Sequence, residues 1–170
     1  MAQSKSAVLS RLSWRGLENP VRTTVAAVAS LLVARMFKLP EAYWAPVTTL
    51  VVTQSSIGEA MTNGWQRFVG TALGAAAGAL LATYFGPSAI VFGAGVLALG
   101  LICAILHLDR PAYRFAGITL AIILLIARAR PPWVIAAHRF FEVSVGIAVG
   151  LAVTAVWPEP KSARALRRTS

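Results

Sequence analysis

"WQRFVGTALGAAAGALL", residues 65–81, sets Arg67 at the mouth of an apolar run that carries glycines at 70, 74 and 78. Positions i, i+4 and i+8 fall on one face of a helix. A face made of hydrogen atoms lets another backbone approach closely, so Gly70, Gly74 and Gly78 read as helix packing. Further on, "HRFFEVSVGIAVGLAV" (138–153) repeats the device. There Arg139 and Phe140 precede Gly146 and Gly150, just as Arg67 and Phe68 precede Gly74 and Gly78.

The surrounding composition tells which solvent such a helix expects. The chain has 170 residues, 57% hydrophobic and 13% charged, against roughly 25% charged in a soluble domain. Its charges cluster between six apolar stretches, at 21–37, 43–57, 68–85, 88–106, 115–127 and 140–157. A spanning helix needs about 20 residues. The second and fifth stretches are short, and basic residues at helix ends can snorkel to headgroups. The expectation is an all-α membrane protein of six transmembrane helices at 21–158, between a basic segment at 1–20 and a basic tail at 159–170. The net charge of +10 belongs to the flanks of apolar segments, which leaves no soluble surface for nucleic acid. With the N-terminus inside, eleven Lys and Arg fall on the inner side and five on the outer. That bias places both termini in the cytoplasm. No secretory signal is evident, so the first apolar stretch reads as a retained helix. The lone Cys103 lies inside the fourth stretch and reads as a small core residue.

The echo extends beyond the arginines. "LPEAYW" (39–44) precedes the second stretch and "RPAYR" (110–114) the fifth, and Tyr43 with Thr49 matches Tyr113 with Thr119. Two halves of three helices give an inverted repeat, because an odd number of crossings starts the second half from the opposite side. In such transporters, short or interrupted segments at matching places mark the substrate site. The second stretch, "YWAPVTTLVVTQSSIG", is also the most polar. Pro46 should kink or interrupt it. Thr48, Thr49, Thr53, Gln54 and Ser55 then either line a path or bond to their own helix.

Arg67 and Arg139 are placed at the starts of the third and sixth helices, near opposite mouths of a path. A guanidinium binds a carboxylate through two parallel hydrogen bonds, and a helix N-terminus adds partial positive charge. The alternative is a pair of headgroup anchors. Glu142 is the one carboxylate clearly inside an apolar stretch, at i+3 from Arg139. It is either that arginine's salt-bridge partner or a proton-coupling group. Trp44, Tyr43 and Trp65 could stack on an aromatic substrate or anchor at the interface. Two histidines, with no HExxH, CxxC, GxSxG or phosphate loop, give no support for an enzyme, a metal or a cofactor.

With these residues in view, the chain resembles the fusaric acid resistance-like (FUSC) family of the aromatic acid exporter superfamily, and more distantly the plant aluminium-activated malate transporters. The likeness covers about residues 18–160. It rests on the Tyr-Trp ahead of the second stretch, on Arg67, Gly70, Thr71 and Gly74, and on the late Arg139–Pro158 run. The resemblance implies a six-helix inner-membrane module that exports small organic anions, often aromatic carboxylates. Longer relatives carry two such modules and a soluble domain, which implies a homodimer here. An anion channel and a non-transporting membrane scaffold are the alternatives.

Overall fold

The computed structural model describes residues 14–53, 56–126 and 130–157. Among them every regular element is helical: α1 (Trp14–Met36), α2 (Trp44–Val52), α3 (Ile57–Tyr84), α4 (Ala89–Ile105), α5 (Arg110–Ala121) and α6 (Pro132–Val156). A π-helical turn, Ile122–Ile126, continues α5. The starts follow from local chemistry. Ser56 caps α3 by accepting from the Glu59 N–H, and Ser88 caps α4 by accepting from the Val91 N–H. Pro111 and Pro132 sit in the first turns of α5 and α6, where a missing donor costs nothing. Pro46 behaves in the same way. It lies in the first turn of α2, so it begins that helix and interrupts nothing. The break comes later, where Thr53 turns to extended backbone after only nine helical residues. A second departure from regular α-helix is the π turn that ends α5.

Helices α1 and α4 close alike. Lys38 and His107 both adopt positive φ, at 51° and 52°. After α1, Lys38 N–H bonds to Arg35 O and Leu39 N–H to Ala34 O; after α4, His107 N–H bonds to Ala104 O and Leu108 N–H to Cys103 O. Each pair is a Schellman closure with a residue other than glycine at the left-handed position. Both closures lead into the chain entering a short helix, α2 or α5.

The long helices α3 and α6 form the centre of the bundle and run antiparallel. Gly64 faces Ile147 and Leu151, Phe68 meets Phe140 at 4.9 Å, and Ala75 packs with Ile135 and Ala136. Helix α5 lies parallel to α3, and α2 lies parallel to α6, each across a glycine seam. A methyl group on Gly74 would meet the Ala116 backbone, and one on Gly78 would meet Ile123. On the other side, a methyl on Gly146 would meet Ala45 and Thr48, and one on Gly150 would meet Val52. Gly70 completes the α3 seam against Ala112 and Phe115. Helix α1 packs on α2 and α6, and α4 on α5 and α3.

Polarity is distributed inside-out. Arg22, Ser30, Thr48, Thr49, Arg67, Thr71, Thr119, Arg139, Glu142 and Thr154 are buried, while Val25, Leu32, Leu80, Ile90, Leu101 and Ile105 are exposed. Among the described residues, Pro132–Val156 is the one helix long and apolar enough to cross a membrane by length and hydropathy alone, and Ala89–Ile105 is a shorter apolar helix. The others miss for visible reasons. The 28-residue α3 opens with Glu59, Asn63, Gln66 and Arg67, and its apolar half is largely Gly and Ala. Helices α2 and α5 are short, at nine and twelve residues.

Candidate functional site: a buried two-arginine centre

Neither arginine opens its helix. Helix α3 begins at Ile57 and α6 at Pro132. At 1.5 Å per residue, Arg67 lies about 15 Å and Arg139 about 10 Å inside. The capping turn Ser56–Glu59 and the polar first turns of α3 extend the helix ahead of the apolar run that the charges delimit. The helix-end partial charge fades within a turn, so it contributes little at either guanidinium. Because α3 and α6 are antiparallel, both arginines converge on the middle of the bundle instead of its two mouths. Arg139 stands within coulombic range of Arg67.

Their settings are related. Arg67 is 8% exposed. Its Nε donates to Thr48 Oγ1 at 3.1 Å, and its guanidinium carbon stands 4.7 Å from the centre of the Phe115 ring. The Arg139 guanidinium carbon stands 3.6 Å from the centre of a Trp44 ring. The arginine of α3 thus stacks on an aromatic residue of α5, and the arginine of α6 on the one that starts α2. Such stacking stabilises a desolvated cation by about 2 kcal/mol.

The counter-charges differ. Arg139 Nη1 lies 3.8 Å from Glu142 Oε2. Glu142 is fully buried, and its Oε1 accepts from the backbone N–H of Glu41 at 3.0 Å. The Glu41 carboxylate in turn accepts from Trp44 Nε1 at 3.0 Å. Arg67 has no ion pair among the described residues.

The hydroxyls divide between two uses. Thr48 holds Arg67. Thr49 donates to Ala45 O at 3.0 Å and to Gly146 O at 2.9 Å, so it ties α2 across the seam to α6. Thr53 Oγ1 is buried without a partner at the break after α2. Gln54 and Ser55 lie outside the described residues. Tyr43 and Trp65 are more than half exposed; the Tyr43 ring stands 5.5 Å from the Trp44 ring that covers Arg139. Asp109, at the start of α5, accepts from Gln66 Nε2 at 2.6 Å. Cys103 is buried. No group of three or more His, Cys, Asp or Glu suited to a metal occurs among the described residues. An apolar groove of about 700 Å³ lies elsewhere, along α3 and α6 between Met61, Trp65, Phe68, Ile147 and Leu151.

Sequence reasoning missed Glu41 and Phe115. The signal for Glu41 was its place in "LPEAYW", two residues ahead of the Tyr-Trp pair. Phe115 had no such signal, because the Tyr43–Tyr113 register of the sequence sets Arg114 opposite Trp44.

Together these observations define a class: an all-α bundle with interrupted short helices, apolar flanks and a buried cationic centre. The chain belongs to the fusaric acid resistance protein-like family, whose model matches residues 26–153. It is 33% identical over 155 residues to the "Uncharacterized transporter YdhK" of Escherichia coli K12, an alignment covering 86% of this chain and 23% of that protein. It is 29% identical over 148 residues to the "Inner membrane protein YeeA" of the same strain, covering 81% of this chain and 40% of that one. The chain therefore spans well under half the length of these relatives. No solved structure matches it.

Proposed function

We propose that this bundle is the membrane module of an inner-membrane transporter that exports small organic anions, aromatic carboxylates foremost, and that it works as a homodimer. The observation that carries the reading is Arg67, a buried cation that no acid among the described residues pairs. A fixed charge in a low-dielectric interior is costly unless something compensates it, and a carboxylate is the matching partner for a guanidinium. Thr48 and Phe115 orient its fork and face. Arg139 sits beside it in the same polar interior, with Glu142 as its counter-ion. Thr49, Thr53, Gln54 and Ser55 belong to the path on this reading, and Trp44 contributes an aromatic wall.

Membrane embedding is supported by the inside-out polarity and by the placement of aromatics. Phe37, Tyr43, Tyr84, Phe85 and Trp133 are all exposed. Tyr84 and Phe85 at the end of α3 and Trp133 at the start of the antiparallel α6 share one end of the bundle, as residues of an interfacial belt do. The names and family of the relatives point the same way. Two inverted repeats of three helices are supported by the paired glycine seams, the paired arginine stacks and the matched closures after α1 and α4.

Purified protein in proteoliposomes should take up a radiolabelled aromatic monocarboxylate with saturation. Saturable, proton-dependent flux supports a coupled carrier, non-saturating flux a channel, and no flux the scaffold alternative. The orientation has its own check. The 11-to-5 basic bias places Ser170 in the cytoplasm, so a cysteine put there should react with an impermeant thiol reagent only after the cells are opened. Labelling in intact cells would overturn the orientation and the even number of crossings.

A further inference from the structure

Laying α6 over α3 in the register of their arginines sets the two sites apart in charge. The residue three after Arg139 is Glu142; the residue three after Arg67 is Gly70. Gly70 can be nothing larger, because a Cβ there would press on the Ala112 carbonyl and, at 2.9 Å, on Phe115. So one guanidinium carries its own carboxylate, and packing bars the other from having one at that position.

Glu142 is also held independently of the arginine it faces. Its Oε1 is fixed by the Glu41 N–H, and its Oε2 points toward Arg139 without reaching it. Arg139 Nε, Arg139 Nη1 and Glu142 Oε2 are all buried without a hydrogen-bond partner. The carboxylate is therefore anchored by backbone and stands opposite two unused donors. The Glu41 carboxylate, tied to Trp44, lies within coulombic range of the same pair. The formal charges are thus one cation and two acids around Arg139, against one cation and no acid at Arg67.

We propose that Glu142 makes the path selective for monocarboxylates over dicarboxylates, by occupying Arg139 as a built-in carboxylate so that Arg67 alone receives one from outside the chain. The proposal rests on the anion-path reading above. A ligand with one carboxylate places it at Arg67. A ligand with two must bring the second toward Glu142 and Glu41, where like charges oppose it in a poorly screened interior. Removing the Glu142 charge takes away the carboxylate that competes with that second group for Arg139 Nε and Nη1, which have no hydrogen-bond partner.

The test is competition against a labelled monocarboxylate, benzoate, by dicarboxylates of graded length from succinate to adipate and by phthalate, on the full chain in detergent and in proteoliposomes. Wild-type protein should prefer benzoate to every dicarboxylate by at least about tenfold. Glu142→Gln should shift that ratio toward at least one dicarboxylate by about tenfold or more. Arg139→Gln/Glu142→Gln, which removes both charges, should show no such gain. Glu41→Gln, which leaves Glu142 in place, should shift the ratio less than Glu142→Gln does. Should Glu142→Gln fail to give monodisperse protein, Glu142→Met carries the same expectation. An unchanged ratio in the folded variant, or wild-type protein that takes dicarboxylates as well as benzoate, overturns the selectivity role alone. Absence of any carboxylate binding by wild-type protein overturns the anion path itself.

Discussion

Arg67→Gln should cut carboxylate flux in proteoliposomes by roughly ten- to a hundred-fold, on the scale of the ~1.5–3 kcal/mol that a hydrogen bond to a charged group contributes. Glutamine keeps a polar tip near Thr48 but removes both the charge and the fork. Arg67→Lys restores the charge as a compact ammonium without the paired geometry. Flux should then be intermediate, with weaker apparent affinity. Arginine as a mere headgroup anchor predicts something else: lysine would serve as well, and glutamine would lower the amount of inserted protein without touching flux per molecule. Normal flux through a correctly inserted Arg67→Gln protein rejects the anion site. The position of Arg67 about 15 Å from the start of α3, 8% exposed against Phe115 and Thr48, already argues against a headgroup contact.

The second large effect falls on the seams. Gly74→Leu should abolish the folded protein in detergent, and even Gly74→Ala should lower its thermal midpoint by several degrees. The added Cβ meets backbone, with Ala116 Cα 2.9 Å away, and backbone cannot rotate aside. Overpacking costs about 1–3 kcal/mol when side chains can adjust, so a clash with main chain belongs at or above the top of that range. Gly146→Ala should behave alike, since its Cβ would stand 2.6 Å from Thr48 Cβ. Gly93→Ala is the control. Nothing lies within 4 Å of a Cβ there, and replacing a helical glycine by alanine gains up to about 1 kcal/mol in propensity. Equal thermal profiles for the Gly74 and Gly93 variants would show that α3 and α5 are not in the contact described.

The glycine spacing, the shortness of α2 and α5 and the kinship of the two arginines were all legible in the sequence. Each is a local pattern, and each occurs twice along the chain. What the sequence concealed was depth. Arg67 and Arg139 were set at helix starts because apolar runs begin just after them. Capping and helix formation do not require apolar residues, so Ser56 and Glu59 carry α3 back ten residues into polar sequence. Pro46 differs from the expected kink for a related reason: it is the third residue of α2, and what precedes it is a turn of i to i+3 bonds (Trp44 N–H to Glu41 O) and not α-helix. Glu41 was overlooked because a carboxylate between helices looks solvated, and its backbone N–H, the group that fixes Glu142, has no signature in sequence. The partnership of Arg139 with Trp44 joins residues 95 apart, which periodicity within one helix cannot reveal.

The nine-residue length of α2 has an electrical consequence. At 1.5 Å per residue it covers about 13 Å, less than half of a hydrocarbon layer roughly 30 Å thick. In a bilayer, α2 would start at the depth of Glu142, which accepts from the Glu41 N–H, and the polar groups there would thin the insulating layer at the centre of the bundle. The membrane potential would then drop mostly across the short stretch between the arginine centre and the two aqueous faces. An elementary charge crossing the full drop changes free energy by about 2.3 kcal/mol per 100 mV. With the inside negative, that sign drives a monovalent anion outward, so on the proposed export reading the membrane voltage would itself supply a driving force.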